Sequence, residues 1–327
     1  MTAILTGPVG VIGWDLDDDA WRQARKQGLG GSDISAVLGF SSYSSPWAVW
    51  ADKAGVRSWQ DDESSAAAEL GVELEPWLLG KAERVLEMQV SQTEFRTYAH
   101  PTHRWRTCSP DGLADDGSLV ECKTAGLASG YGTPGGWADG GTPLGYEFQC
   151  RWSLHVMDAP RIHLVGLVAG MGVLHRTFHR DLAIEADLVD QVSEWHRRHI
   201  VEGLEPALGA VDNDMMARLY PHVALEDVDL TGTEAEDLHR AYLAARARES
   251  AAKADKETAG AALKRLLGEA EVGKLGDQVI AKWSDKKGHV DWPALVADLV
   301  ETHGVPAPNP ESYRKPSTRS LSVKDVK

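Results

Sequence analysis

The stretch SPDGLADDGSLVECKTA, Ser109 to Ala125, decides the fold. Its ADDG segment, Ala114–Gly117, has the composition of a tight turn, and LVECKTA after it has the composition of a strand. Successive side chains on a strand alternate between faces, so Glu121 and Lys123 point one way while Val120 and Cys122 point the other. A hairpin at the ADDG turn carries Asp111 back beside Glu121. Two carboxylates and one amine then converge on a small area of sheet.

Outward from this hairpin, the 327-residue chain has 43% hydrophobic residues, enough for a packed core. The length suggests one large domain with an appendage, or two domains. The N-terminus lacks a basic leader and is broken by Gly and Pro, and the longest apolar run, Leu164–Leu174, is too short to cross a bilayer. A cytoplasmic protein without membrane partners is expected. Its three cysteines, Cys108, Cys122 and Cys150, have neither disulfide-framework nor metal-type spacing and are expected to be reduced thiols. A net charge of −15 argues against gripping nucleic acid through the overall field. Local basic clusters remain around Arg22, Arg25 and Lys26, around Arg96, Arg104 and Arg106, and around Arg176, Arg180, Arg197 and Arg198, with a solvated face the favoured reading of each.

The pattern predicts a helix near Asp19–Gln27, a glycine turn, and a second helix over ISAVLG capped by Ser32 or Asp33. A third follows Ser45 and Pro46. Ser65 to Met88 is helical with an interruption at Pro76, which sets Glu75 at a bend or boundary. QVSQTEFRTYAH, WRTCSPDG and SLVECKTA are expected to form an antiparallel meander. The glycine-rich loop Gly126–Gly145 leads to a helix, EFQCRWSLHVM, and then to the apolar strand RIHLVGLVAG. This helical crossover places the apolar strand beside the motif strand. The expected fold is therefore α/β, a mixed central sheet flanked by helices over residues 1–210. Residues 211–327 form a mainly helical C-terminal extension with a hairpin at Gly276–Asp277 and a Pro- and Ser-rich tail.

Asp, nine residues, Glu, one residue, Lys is a spacing that metal-dependent phosphodiester hydrolysis can use. Carboxylates give hard oxygen ligands to Mg²⁺, the ion activates water and offsets leaving-group charge, and a lysine with a lowered pKa can hold the attacking water or take its proton. The same spacing also arises as a surface salt-bridge ladder. SPDG…ECKT resembles the PD-(D/E)xK nuclease motif. RKQGLGGSDISAVLG, SPWAVWADKAG, LGVELEP and GYEFQCRWSLHV resemble, in order, pieces of the YqaJ-type phage recombination exonucleases, the family of lambda exonuclease.

The resemblance implies a restriction-endonuclease-like core. It makes Asp111 and Glu121 metal ligands together with the Cys122 backbone carbonyl, adds Glu75 near the metal, and makes Lys123 the catalytic lysine. Gln149 is placed near the reacting phosphate, and Arg25, Ser32 and Ser109 around a 5′-terminal phosphate. It further implies Mg²⁺ or Mn²⁺ as cofactor, 5′–3′ degradation of linear double-stranded DNA for phage-type recombination, a trimeric homo-oligomer, and a single-strand annealing recombinase as partner. Two other readings stay open: an endonuclease of the same fold, and a noncatalytic DNA-binding or assembly module. Trp137, in the glycine loop, is a candidate for stacking on an unpaired base. The HRRH run at His196–His199 reads as exposed helix.

Overall fold

The computed structural model describes residues 10–13, 17–41, 43–56, 66–93, 96–126, 136–220, 227–285, 288–289, 291–304, 306–314, 321 and 323. Residues 127–135 of the glycine loop and most of the expected RSLSVK tail strand lie outside the described residues. The chain divides into two compact units, residues 1–219 and 220–327.

In the first unit, α1 (Asp18–Arg25) begins at Asp17, whose carboxylate accepts the Ala20 N–H at 2.8 Å. At α2 (Gly31–Val37) the Asp33 carboxylate reaches back to the Gly30 N–H at 2.8 Å, covering one of the donors a helix start leaves open. Ser45 caps α3 (Pro46–Lys53) by accepting from the Ala48 N–H at 2.9 Å, and its hydroxyl also meets the buried Asp212 carboxylate. The helix α4 (Ala66–Leu86) is a single helix through Pro76, so a helix boundary at Glu75 is absent. Proline removes one N–H, the donor to the Val72 carbonyl. Packing of Leu78, Leu79 and Ala82 anchors the helix on the C-terminal side of that gap.

The central sheet has the order β2 (Val90–Gln92), β5 (Gly112–Ala114), β6 (Leu119–Ala125), β7 (Arg161–Val168), β8 (Gly172–His179). Strands β6 and β7 are parallel, with Lys123 opposite Gly166, and the other neighbours are antiparallel, so the sheet is mixed. The parallel pair is bridged by α5 (Leu144–Met157), the crossover expected from the sequence. QVSQTEFRTYAH is not one strand. Its first half is β2, while its second half is β3 (Thr97–Ala99), which lies between β1 (Gly10–Gly13) and β4 (Thr107–Cys108) in a separate small sheet. The break falls at a turn where the Arg96 N–H donates to the Thr93 carbonyl at 3.1 Å and the Thr93 hydroxyl is tied to the Pro110 carbonyl.

The two faces of β6 enter different cores. Val120 and Cys122 pack with Leu78, Leu79 and Ala82 of α4 and with Val165. Leu119, on the other face, joins Trp152, Leu154 and Val156 of α5 and Leu188 and Val192 of α6 (Leu182–His196). Each such aliphatic side chain contributes about 1.5–3 kcal/mol on burial. A short helix, α7 (Asn213–Leu219), ends this unit.

The second unit holds the long helix α8 (Ala235–Leu267), the hairpin β9 (Val272–Leu275) and β10 (Gln278–Lys282), and α9 (Trp292–His303). The hairpin turns at Gly276, and α9 is capped by Asp291 and stopped by left-handed Gly304 at φ 61°. Among the described residues no helix is long and apolar enough to cross a membrane.

Candidate active site

The hairpin between β5 and β6 does what its sequence suggests. Gly112 pairs with Val120, so Asp111 comes level with Glu121. The Asp111 Oδ2 accepts the Cys122 N–H at 2.6 Å. On β6, Glu121 and Lys123 share a face, and the Lys123 Nζ contacts Glu121 Oε1. From α5, the Gln149 Nε2 donates to the same oxygen. Gln149 reaches it because α2 packs closely at Gly31, where a Cβ would lie 3.0 Å from Gln149 Cγ.

Glu121 is 2% exposed, and its Oε2 is buried without a hydrogen-bond partner among the described residues. An unpaired buried carboxylate oxygen is costly. A cleft of about 240 Å³ beside it is lined by Glu75, Asp111, Cys122, Lys123 and Thr124. Glu121 is not part of its wall. Glu75 comes from the middle of α4 and accepts from Gln92 Nε2 at 3.4 Å, whereas Glu73 is exposed.

The electrostatics follow from this crowding. Burial pushes the Asp111 carboxyl well above the usual range, the Glu121 charge adds to this, and so does Glu75, against the opposing pull of Lys123 and the Cys122 N–H. For Lys123, burial pulls the pKa down, but the charges of Glu121 and Asp111 and the hydrogen bond to Glu121 outweigh it and hold the amine well above the lysine range. A lowered pKa, the condition on which Lys123 could take a proton from water, is therefore not what the structure gives. Lys123 is a firmly protonated cation, because two carboxylates face it.

Buried carboxylates that repel, with one oxygen orphaned, fit a hard divalent cation. Among the described residues no three or more His, Cys, Asp or Glu side chains form a ready cage. That donor set matches an ion that keeps several waters better than one enclosed by protein. The Cys122 thiol faces the core and burial pushes its pKa up, so only its backbone is available to a ligand.

Arg25 and Ser32 meet, with Nη2 donating to Oγ at 2.8 Å. Ser109 bonds to the Thr97 hydroxyl at 3.2 Å. The Arg25–Ser32 segment is laid beside the strand leading to Ser109 by backbone bonds, Leu29 N–H to the Trp105 carbonyl at 2.7 Å and Thr107 N–H to the Leu29 carbonyl at 3.0 Å. Arg25 also lines a second cleft of about 220 Å³ with Arg22, Lys26 and Lys53, and Lys53 is paired to Asp33 at 3.1 Å.

Two aromatic residues change their meaning. Trp137 is fully buried, so it is not presented for base stacking. Its ring packs over Gly166 and lies 5.9 Å from Tyr146, whose ring in turn has the Lys123 Nζ 5.7 Å from its centre. Arg176 fastens this part of the loop by donating to the Gly140 and Gly141 carbonyls at 3.1 and 3.3 Å. Tyr146 was missed in the sequence, although its place one helical turn before Gln149, on the same face, is the signal that finds it. His196 is not simply exposed helix, because it stacks on Trp105 at 3.9 Å.

Residues 20–160 match the family of the YqaJ-like viral recombinase domain, which bears out the resemblance read from the sequence. All the candidate site residues lie inside that span. The chain is 22% identical over 326 residues to the uncharacterized protein YqaJ of Bacillus subtilis (strain 168), covering 95% of this chain and 96% of that one. Among solved structures, an alkaline exonuclease from Laribacter hongkongensis aligns at 18% identity and TM-score 0.44, covering 62% of this chain and 100% of that one. A phage-related exonuclease from Haemophilus somnus aligns at 12% identity and TM-score 0.37, covering 54% and 96%.

Proposed function

We propose that this chain is a Mg²⁺-dependent deoxyribonuclease, with Mn²⁺ as a substitute, that degrades linear double-stranded DNA from its 5′ ends. The observation that carries the reading is the convergence of Asp111, Lys123 and Gln149 around Glu121, whose second oxygen is buried and unpartnered. The match of residues 20–160 to a viral recombinase domain supports DNA as the substrate.

When bound, the ion polarises a phosphoryl oxygen, acidifies a water and offsets charge on the leaving oxygen. Asp111, Glu121 and the Cys122 carbonyl would supply its protein oxygens, with Glu75 of α4 lining the cleft beside Asp111. Lys123, held protonated, orients the attacking water and donates to the oxygen on which charge builds, the task of a fixed cation rather than of a base. Gln149 fixes the Glu121 rotamer and turns its remaining capacity to the reacting phosphate. Arg25 with Ser32 and Ser109 holds the terminal phosphate through charge-assisted hydrogen bonds. The trimeric ring and the annealing partner implied by the resemblance belong to the same reading.

The test is linear duplex DNA with a 5′ phosphate, incubated with Mg²⁺ or with chelator, beside a covalently closed circle and the Lys123→Ala protein. Loss of the linear duplex only with metal and only with Lys123, the circle surviving, is expected. Cleavage of the circle points to an endonuclease, and no metal-dependent product from wild type points to a noncatalytic binding module.

A further inference from the structure

The long helix α8 spans about 50 Å at the usual rise per residue, and none of its described side chains is buried. Near its two ends it exposes large apolar groups, Leu238 at 59% and Tyr242 at 43%, then Leu263 at 41% and Leu266 at 78%. Steps of three and four residues place all four on one face.

Reading inward from both ends along that face, Leu238 answers Leu266, Tyr242 answers Leu263, Ala245 answers Ala259, and Glu249 answers Lys256. Ala252 lies at the centre. The face is thus symmetric under reversal in size and polarity but opposite in charge at its one charged step. Arg248 and Asp255, beside it, obey the same reversal.

A surface with this property is complementary to itself when one copy is turned end for end. We propose that α8 docks antiparallel against α8 of a second copy of this chain, about a two-fold axis at Ala252. Glu249 of each copy then meets Lys256 of the other, Arg248 meets Asp255, and the leucines and tyrosine close the ends. The alanines let the helix axes approach to about 8 Å. A parallel pair puts Glu249 against Glu249 and Lys256 against Lys256, so the charges select the orientation. Arg246, which donates to the Val323 carbonyl at 2.9 Å within the same unit, lies on a neighbouring face and leaves this one open.

The test uses the full chain and a readout that other contacts between copies do not disturb. The native thiols at Cys108, Cys122 and Cys150 are buried and do not compete. Ala252→Cys is expected to form a disulfide with its own copy under mild oxidation. Introducing Glu249→Lys or Lys256→Glu into that variant lowers the cross-link yield roughly tenfold, and the two together restore it. In a mixture of Leu238→Cys and Leu266→Cys proteins the hybrid disulfide dominates. Circular dichroism checks that each variant keeps its helix. Absence of the Ala252→Cys cross-link, indifference to the charge reversals, or Leu238→Cys joining itself in preference to Leu266→Cys overturns the proposal.

Discussion

Substituting Gly166 by alanine tests how Lys123 is held. A Cβ at Gly166 would lie 2.6 Å from Trp137 Cη2, 2.9 Å from Cζ2 and 3.2 Å from Cζ3. Carbon atoms in contact prefer about 3.5–4.0 Å, so the indole must retreat by about 1 Å. Trp137 is fully enclosed and cannot yield freely. Overpacking of this kind costs about 1–3 kcal/mol. For a unit of this size that lowers the melting temperature by roughly 2–10 °C. The functional consequence follows from geometry, because Gly166 is the ladder partner of Lys123 and the displaced ring leans on Tyr146 beneath the Lys123 amine. A misplacement of about 1 Å at a catalytic group can reduce turnover by roughly a hundredfold. Thermal melting, and the initial rate on linear duplex DNA, measure the two effects. Adding Trp137→Phe, a smaller ring, should return part of the stability lost by Gly166→Ala, a coupling that a double-mutant cycle reads directly. Wild-type melting and turnover in Gly166→Ala would refute the packing argument.

Other perturbations probe other links. Glu185 is 2% exposed and held by Arg180, with Nη2 to Oε2 at 2.7 Å; Arg180→Ala strands that charge and should cost about 3–5 kcal/mol in chemical denaturation, a loss below about 1 kcal/mol contradicting the assignment. His163 is lowered to about 4 by burial and by the neighbouring His175 and Arg161. The unfolded chain therefore takes up a proton the native state refuses, and stability should fall by about 1–2 kcal/mol, after allowance for screening, as pH drops from about 6.5 to about 4. His163→Phe should flatten that part of the pH–stability curve, and an unchanged slope counts against the account. In chelator near neutral pH, Asp111→Asn keeps an acceptor for the Cys122 N–H while removing repulsion from Glu121, so its melting temperature should rise. A variant less stable than wild type would show that the carboxylates do not oppose each other.

Much of the site was legible because it depends on local rules. Alternation put Glu121 beside Lys123, turn chemistry returned Asp111 to them, and the apolar run after α5 had to lie parallel to β6. Gln149 followed from helix position and resemblance. What escaped depends on contacts distant in sequence. Trp137 sits in a glycine-rich segment whose composition suggests exposure, yet Gly166, far along the chain, leaves the hollow that buries it. QVSQTEFRTYAH has strand composition throughout, and its division between two sheets rests on the Thr93–Pro110 tie, which no local pattern shows. Pro76 argues for a break, but one lost N–H is a small defect beside the packing of Leu78, Leu79 and Ala82 just after it, and α4 continues. The sign of the Lys123 shift is a balance of burial against two carboxylates and emerges only from the assembled geometry.

Calorimetric titration of Mn²⁺ or Mg²⁺ into the wild-type chain and into Asp111→Asn, with folding of both verified by melting, addresses the paired carboxylates directly. Saturable binding by wild type and its loss in the variant is the predicted outcome. Equal binding by both proteins, or none by wild type, would mean that Asp111 and Glu121 are not a cation site.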